Sequence, residues 1–205
     1  MNKIITISRE FGSGGRELGK RLAESLGFAY YDQEIIKAIS ERNGLAEDYI
    51  ERISERGVSF YYPITYARTF SRIPEAVKAQ INVMSVQSEI LKELAVKDNC
   101  VIVGRCADMI LSEYQPLNLF VYADMESRIR RCRLREEKDN NLTDKELQKR
   151  IIEIDRSRSG YREIFTNMKW GDKRGYHLCI NTTGQDIKAL VPAVKEFVAC
   201  YFSDR

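Results

Sequence analysis

The chain's clearest chemistry lies in Ile4-Ile5-Thr6-Ile7-Ser8-Arg9-Glu10-Phe11-Gly12-Ser13-Gly14-Gly15-Arg16-Glu17-Leu18. It reads as a short apolar strand, a glycine-rich turn and the start of an amphipathic helix. Glycines tolerate the positive φ that lets successive N–H groups converge on an anion, and a helix N-terminus adds partial positive charge. Arg16 can grip phosphate oxygens with a bidentate fork. Three glycines and an arginine within five residues, directly between strand and helix, point to an anion site rather than an ordinary strand-to-helix turn.

The phosphate-binding pattern G-x-x-x-x-G-K-[ST] fits only partly. With its second Gly at Gly15, the first Gly falls on Glu10, the Lys on Arg16 and the Ser/Thr on Glu17. Gly12, Ser13, Gly14, Gly15, Arg16 and Glu17 are the candidate nucleotide-phosphate residues. The hydroxyl that usually helps hold magnesium is replaced by the Glu17 carboxylate. Either Glu17 binds metal directly, or it only favours the first helical turn and leaves Ser13 or Ser8 as the hydroxyl.

The elements that must position these residues follow from periodicity. Strands are expected at 3–8, 28–31, 101–103, 117–122 and 177–180, each short and rich in Val, Ile, Leu, Phe or Tyr. Helical patterns lie at 17–26, ending at Gly27, at 33–41, ending near Gly44, and at 47–55. Others run over 75–97 behind Pro74, over the strongly basic 125–138, from Thr143 to about Arg158, and over 186–202. Thr143-x-x-Glu146 is a capping box, and Pro192 should kink the last helix or delay its start. In 75–97 the positions Val77, Ile81, Met84, Ser88 and Leu91 suggest one buried stripe. Strands alternating with helices predict an α/β fold, a three-layer α/β/α sandwich on a parallel five-stranded sheet. Two stretches break the rhythm, the aromatic 57–73 and the polar 138–142, and loops on a rigid scaffold are where substrates usually bind.

Length and charge narrow the classes. The 205 residues suit one domain, and a net charge of +3 offers no general argument for nucleic acid or membrane partners. No apolar run approaches a membrane span, and polar residues interrupt the start, so no secretory signal is expected. The five cysteines include no C-x-x-C pair, the usage of a reducing cytoplasm. A cytoplasmic location is therefore expected. The single histidine, His177, reads as structural, and His-based zinc chemistry is not expected.

Several blocks together resemble the cytidylate kinase-like proteins, a divergent branch of the P-loop nucleoside monophosphate kinases. They are Ile7 to Gly19, then Leu22-Ala23-Glu24-x-Leu26-Gly27, then Tyr30-Tyr31-Asp32. Val103-Gly104-Arg105 is similar to that family's Gly-Arg-Asp element, with Cys106 in place of Asp. Glu126-x-Arg128-x-x-Arg131 and Asp155-Arg156-x-Arg158 resemble its two lid helices, and Asn181-Thr182-Thr183 its strand end before the last helix.

The resemblance implies one P-loop kinase domain over 1–205, with an acceptor-binding insert at about 45–85 and a lid at about 125–162. It implies ATP and Mg²⁺, with small-molecule nucleotide substrates. The γ-phosphoryl group would pass to a nucleoside monophosphate, CMP or dCMP first among them. Arg16, Arg131, Arg156 and Arg158 would cancel charge on the transferring phosphoryl group. Asp32, Arg105, Asp155 and Arg162 would bind the acceptor, with Arg105 on its α-phosphate. Beside these roles stand local ones: Asp32 as a helix cap, Asp155 as an i,i+3 partner of Arg158, and most of Arg128, Arg130, Arg131, Arg133 and Arg135 as solvated or paired. Another small-molecule acceptor, or a nucleotide-binding regulator with little turnover, remains an alternative reading.

Overall fold

The run Ile4–Arg9 (β1) puts Ile4 into the core on one face of the sheet and Ile5 and Ile7 into the core on the other, because both faces are covered, the pattern of a central strand in a parallel sheet. In the computed structural model, which describes residues 2–50, 75–135 and 142–203, it is buried along its whole length. It pairs in parallel with Cys100–Val103 (β3) and Leu117–Tyr122 (β4). Ala29–Tyr31 (β2) and Leu178–Asn181 (β5) form the edges, so the five strands lie in the order β2-β3-β1-β4-β5. The parallel five-stranded sheet expected from the sequence is present, with helices on both faces.

One face is packed by Gly15–Leu26 (α1) and Ile187–Ser203 (α7), where Leu18, Leu22, Val191 and Val194 meet Ile5, Ile7 and Val121. The other carries Gln33–Asn43 (α2) and Glu75–Lys97 (α3), where Ile35, Ile39 and Leu91 meet Ile4 and Ile102. A short helix, Ala107–Ile110 (α4), follows β3 and was not anticipated. Met125–Arg135 (α5) and Asp144–Glu163 (α6) complete the helices. The Thr143–Glu146 capping box forms in both directions, and α6 continues past Arg158 to Glu163.

Two expectations change. The buried stripe of α3 runs through Val83, Gln87, Ile90, Leu91 and Ala95, while Ile81 is 53% exposed. Both stripes satisfy helical spacing, and Gln87 takes an inward place because its amide reaches the Arg105 carbonyl and the Tyr161 hydroxyl. Of the two outcomes expected of Pro192, the delayed start does not occur: α7 begins at Ile187 with the proline inside it, where it cannot donate to the Lys188 carbonyl. The 47–55 helix begins at 47–50, but the aromatic 57–73 stretch and most of the expected insert lie outside the described residues. His177 is structural: its Nδ1 accepts the Asn118 N–H at 2.9 Å. Among the described residues no helix is long and apolar enough to cross a membrane.

Candidate functional site

The carboxyl ends of the strands deliver Arg9 (β1), Asp32 (after β2) and Gly104-Arg105 (after β3) to one edge of the sheet. In the order β2-β3-β1-β4-β5 the chain leaves β1 toward β2 and leaves β4 toward β5, in opposite directions, which makes the carboxyl end of the β1–β4 pair the usual place for a ligand crevice. The glycine loop turns at Gly12 and Gly14, with φ of 78° and 85°. A side chain at Gly12 would place its Cβ 2.9 Å from the Arg128 carbonyl oxygen, so the loop needs glycine for approach as well as conformation.

A cavity of about 280 Å³ opens between this loop and helices α5 and α6. Gly12, Gly14 and Gly15 line it, with Arg9, Arg16, Arg135, Arg150 and Arg158, and Glu10 is the one acid in its lining. So many cations around the N-terminus of α1 suit an anion of polyphosphate size. Arg16 reaches it from a half-exposed position, with its Nε 2.5 Å from Oδ2 of the buried Asp32. Asp32 occupies the N-cap position of α2, yet its side chain makes no capping hydrogen bond.

A second, smaller cavity of about 40 Å³ lies alongside, lined by Ser8, Arg9, Gly104, Arg105, Cys106, Arg158, Tyr161, Arg162 and Trp170. It has room for a small anion rather than a whole nucleotide. Gly104 has φ of 79°, and the Arg9 guanidinium sits where a Cβ would be. Among the described residues, two buried donors without a partner belong to its lining, Arg105 Nε and Arg162 Nε. Buried donors left unpaired are costly, and an anion is the kind of ligand that could satisfy them. Cys106 does not replace the acid it stands for: burial, then the nearby Asp108, pushes its pKa up to about 12 and keeps it a neutral thiol.

The other expected residues fall in distinct places. Arg158 lines both cavities. Arg131 is spent on the Ser13, Thr182 and Gln185 carbonyls and the Thr182 hydroxyl. Asp155 accepts the Phe11 N–H at 2.8 Å and pairs with Arg128. Arg162 is buried against Asp108, 2.5 Å away, and lies over the Tyr176 ring. Arg156 is exposed on α6 and lines neither cavity. Arg9, Arg135 and Arg150 were not among the expected site residues. Arg9 carried the signal that singled out Arg105, a charge at the end of an apolar strand. Arg150 shares a face of α6 with Leu147, Ile151 and Arg158, which only the packed helix reveals.

Two of the residues suggested for magnesium, Ser13 and Glu17, are engaged elsewhere. The Ser13 hydroxyl is fully buried and donates to the Glu10 carbonyl at 2.8 Å. The Glu17 carboxylate is held by Arg21 at 2.9 Å and Arg135 at 3.0 Å. No group of three or more His, Cys, Asp or Glu among the described residues could hold a metal ion.

Residues 4–184 match the cytidylate kinase-like family. The chain belongs to that family. This cytidylate kinase-like protein is also similar, at 25% identity and a TM-score of 0.69, to an uncharacterized protein from Eubacterium ventriosum ATCC 27560, over 98% of this chain and 99% of that one. It shares its fold with shikimate kinase from Bacteroides thetaiotaomicron (20% identity, TM-score 0.56, 96% and 98% of the two chains). The same holds for a gluconokinase from Sinorhizobium meliloti 1021 (14% identity, TM-score 0.54, 99% and 94%). No curated protein matches the chain. Family and fold make this a kinase-type P-loop protein.

Proposed function

We propose that this protein transfers the γ-phosphoryl group of ATP to the phosphate of a nucleoside monophosphate, with CMP and dCMP the first acceptors to test. The observation that carries the reading is the pair of adjoining cationic cavities that share Arg9 and Arg158. The larger, under the glycine loop, suits the donor's phosphates. The smaller, at Arg105, suits the acceptor's single phosphate. The shared arginines stand where donor and acceptor oxygens would meet.

Phosphoryl transfer asks a protein mainly for alignment and for cancellation of charge on the moving group. The glycine-loop amides, the α1 N-terminus and Arg16 bind the donor in this scheme. Arg135 and Arg150 balance its charge from α5 and α6. Arg158 faces the transferring group, and Arg105 with Arg9 anchors the acceptor. Residues of about 125–162 serve as the cover that excludes water, and the acceptor's base is assigned to the insert at about 45–85. ATP is expected as its magnesium complex, but no residue of the loop is assigned to the metal and no step is routed through it.

A coupled assay of ADP release, run with Mg²⁺ against a panel of nucleoside monophosphates and small phosphorylated or hydroxylated metabolites, tests the reading. Release with CMP or dCMP above the acceptor-free background supports it. Release only with another acceptor keeps the kinase and replaces the substrate. The engagement of Arg16 by Asp32, together with the neutral Cys106, favours a second reading, a nucleotide-binding regulator. ATP binding by calorimetry without release on any acceptor would establish that one.

A further inference from the structure

The glycine loop is held from outside by charge. Its carbonyls at residues 9, 11 and 13 are each taken by an arginine of α5 or α6: Arg158 to Arg9 at 3.2 Å, Arg128 Nε to Phe11 at 2.7 Å, and Arg131 to Ser13 at 3.4 Å. The Phe11 N–H is taken as well, by Asp155 Oδ1 at 2.8 Å. Arg128 closes the cluster by pairing with the other Asp155 oxygen and, at 3.3 Å, with Glu10 Oε2. Glu10 in turn accepts the Ala123 N–H at 3.1 Å, where β4 gives way to α5.

Arg128 is buried, with 6% of its side chain exposed, and lines neither cavity. Both peptide groups of Phe11 are therefore turned toward the helices, while Gly12, Gly14 and Gly15 face the donor cavity. A loop of glycines has many conformations of similar energy, and fixing one of them is the entropic cost of a ready-made anion site.

We infer that Arg128 and Asp155 are positioning residues, a charged staple from α5 and α6 that holds the glycine loop in its phosphate-binding shape without touching the nucleotide. The inference rests on the reading of the larger cavity as the donor site. It moves Asp155 from the acceptor to the donor loop, and it gives an arginine of the cover a task other than contact with the moving phosphoryl group. Neither Arg128 nor Asp155 lines either cavity, so loosening the staple weakens binding at a distance.

The test compares wild type with Arg128→Gln and Asp155→Asn, measuring ATP affinity by calorimetry without acceptor and then KM and kcat. Loss of charged hydrogen bonds of this kind predicts ATP binding at least about tenfold weaker in each variant. KM for ATP should rise while kcat and the acceptor KM stay within about twofold, and the double variant should be no worse than the worse single one, as expected of groups acting as a unit. Circular dichroism establishes that each variant is folded, and Asp155→Asn, which keeps an oxygen for the Phe11 N–H, carries the test should Arg128→Gln not fold. ATP affinity unchanged in the folded variants overturns the inference alone. A fall in kcat with ATP affinity intact also overturns it, because that places Arg128 at the reacting group. Wild-type protein that binds no ATP overturns the functional reading and the inference with it.

Discussion

Arg16 stands where a P-loop carries lysine, and its guanidinium edge is turned to Asp32, with Nε 2.5 Å from Oδ2 and a second nitrogen 3.4 Å from Oδ1. A lysine could not make that two-pronged contact. Two readings of Asp32 were open in the sequence, a helix cap and an acceptor contact. The carboxylate does not cap α2, since no capping bond is made and the Asp32 N–H goes instead to Glu34 at 3.1 Å. In the proposed scheme Asp32 then holds the cation meant for the phosphates until nucleotide arrives. Asp32→Asn should therefore tighten ATP binding measured without acceptor, by roughly fivefold, because a half-exposed pair of this kind is worth about 1 kcal/mol at most. Isothermal calorimetry reads this directly, and weaker binding in the variant would mean that Asp32 aims Arg16 rather than competes for it.

At the scale of elements, the arginines of α5 show what periodicity can and cannot assign. Arg128, Arg131 and Arg135 form one stripe toward the loop and cavity, the first two buried and Arg135 half-exposed, whereas Arg130 and Arg133 are exposed and line neither cavity, Arg133 pairing with Asp144. The capping box of α6 was legible because it is written in four consecutive residues. The clamp at the far end of α6 was not. There Arg162 meets Asp108 of α4 with both side chains at most 3% exposed. Burial, the largest influence, works against the Arg162 charge, yet Asp108 and its neighbours leave its pKa above the usual guanidinium range. Asp108→Asn strands a buried cation, and denaturant unfolding should show a loss of about 3 kcal/mol. A loss well under 1 kcal/mol would show that water reaches Arg162.

For the whole molecule, the larger cavity joins the loop after β1, α1, α5 and α6, so a nucleotide bound there as proposed ties distant parts of the chain to one another. ATP at about a hundred times its Kd should add roughly 2.7 kcal/mol and raise Tm by roughly 5–10 °C for a chain of this size. Arg16→Ala should abolish most of that shift. Scanning calorimetry with and without ATP tests both, and an undiminished shift in the variant would place the phosphates elsewhere.

The sequence by itself determined the five strands, most of the helices, the Thr143–Glu146 cap and the parallel α/β architecture, and it singled out the glycine loop as the candidate anion site. These rest on spacing within a few residues, where backbone sterics and the burial of one face dominate. Only the tertiary structure decided which charges serve which task. Asp155 meets Phe11 across 144 positions and Thr182 meets Ser13 across 169, and no local pattern encodes such meetings. The same holds for Gln87 in the buried stripe of α3, for Arg9 and Arg158 between the two cavities, and for Arg156 at the surface. An arginine reads alike in sequence whether it faces water, a carboxylate or a backbone carbonyl. Its partner is set by how helices and strands pack, and that packing is a property of the whole chain.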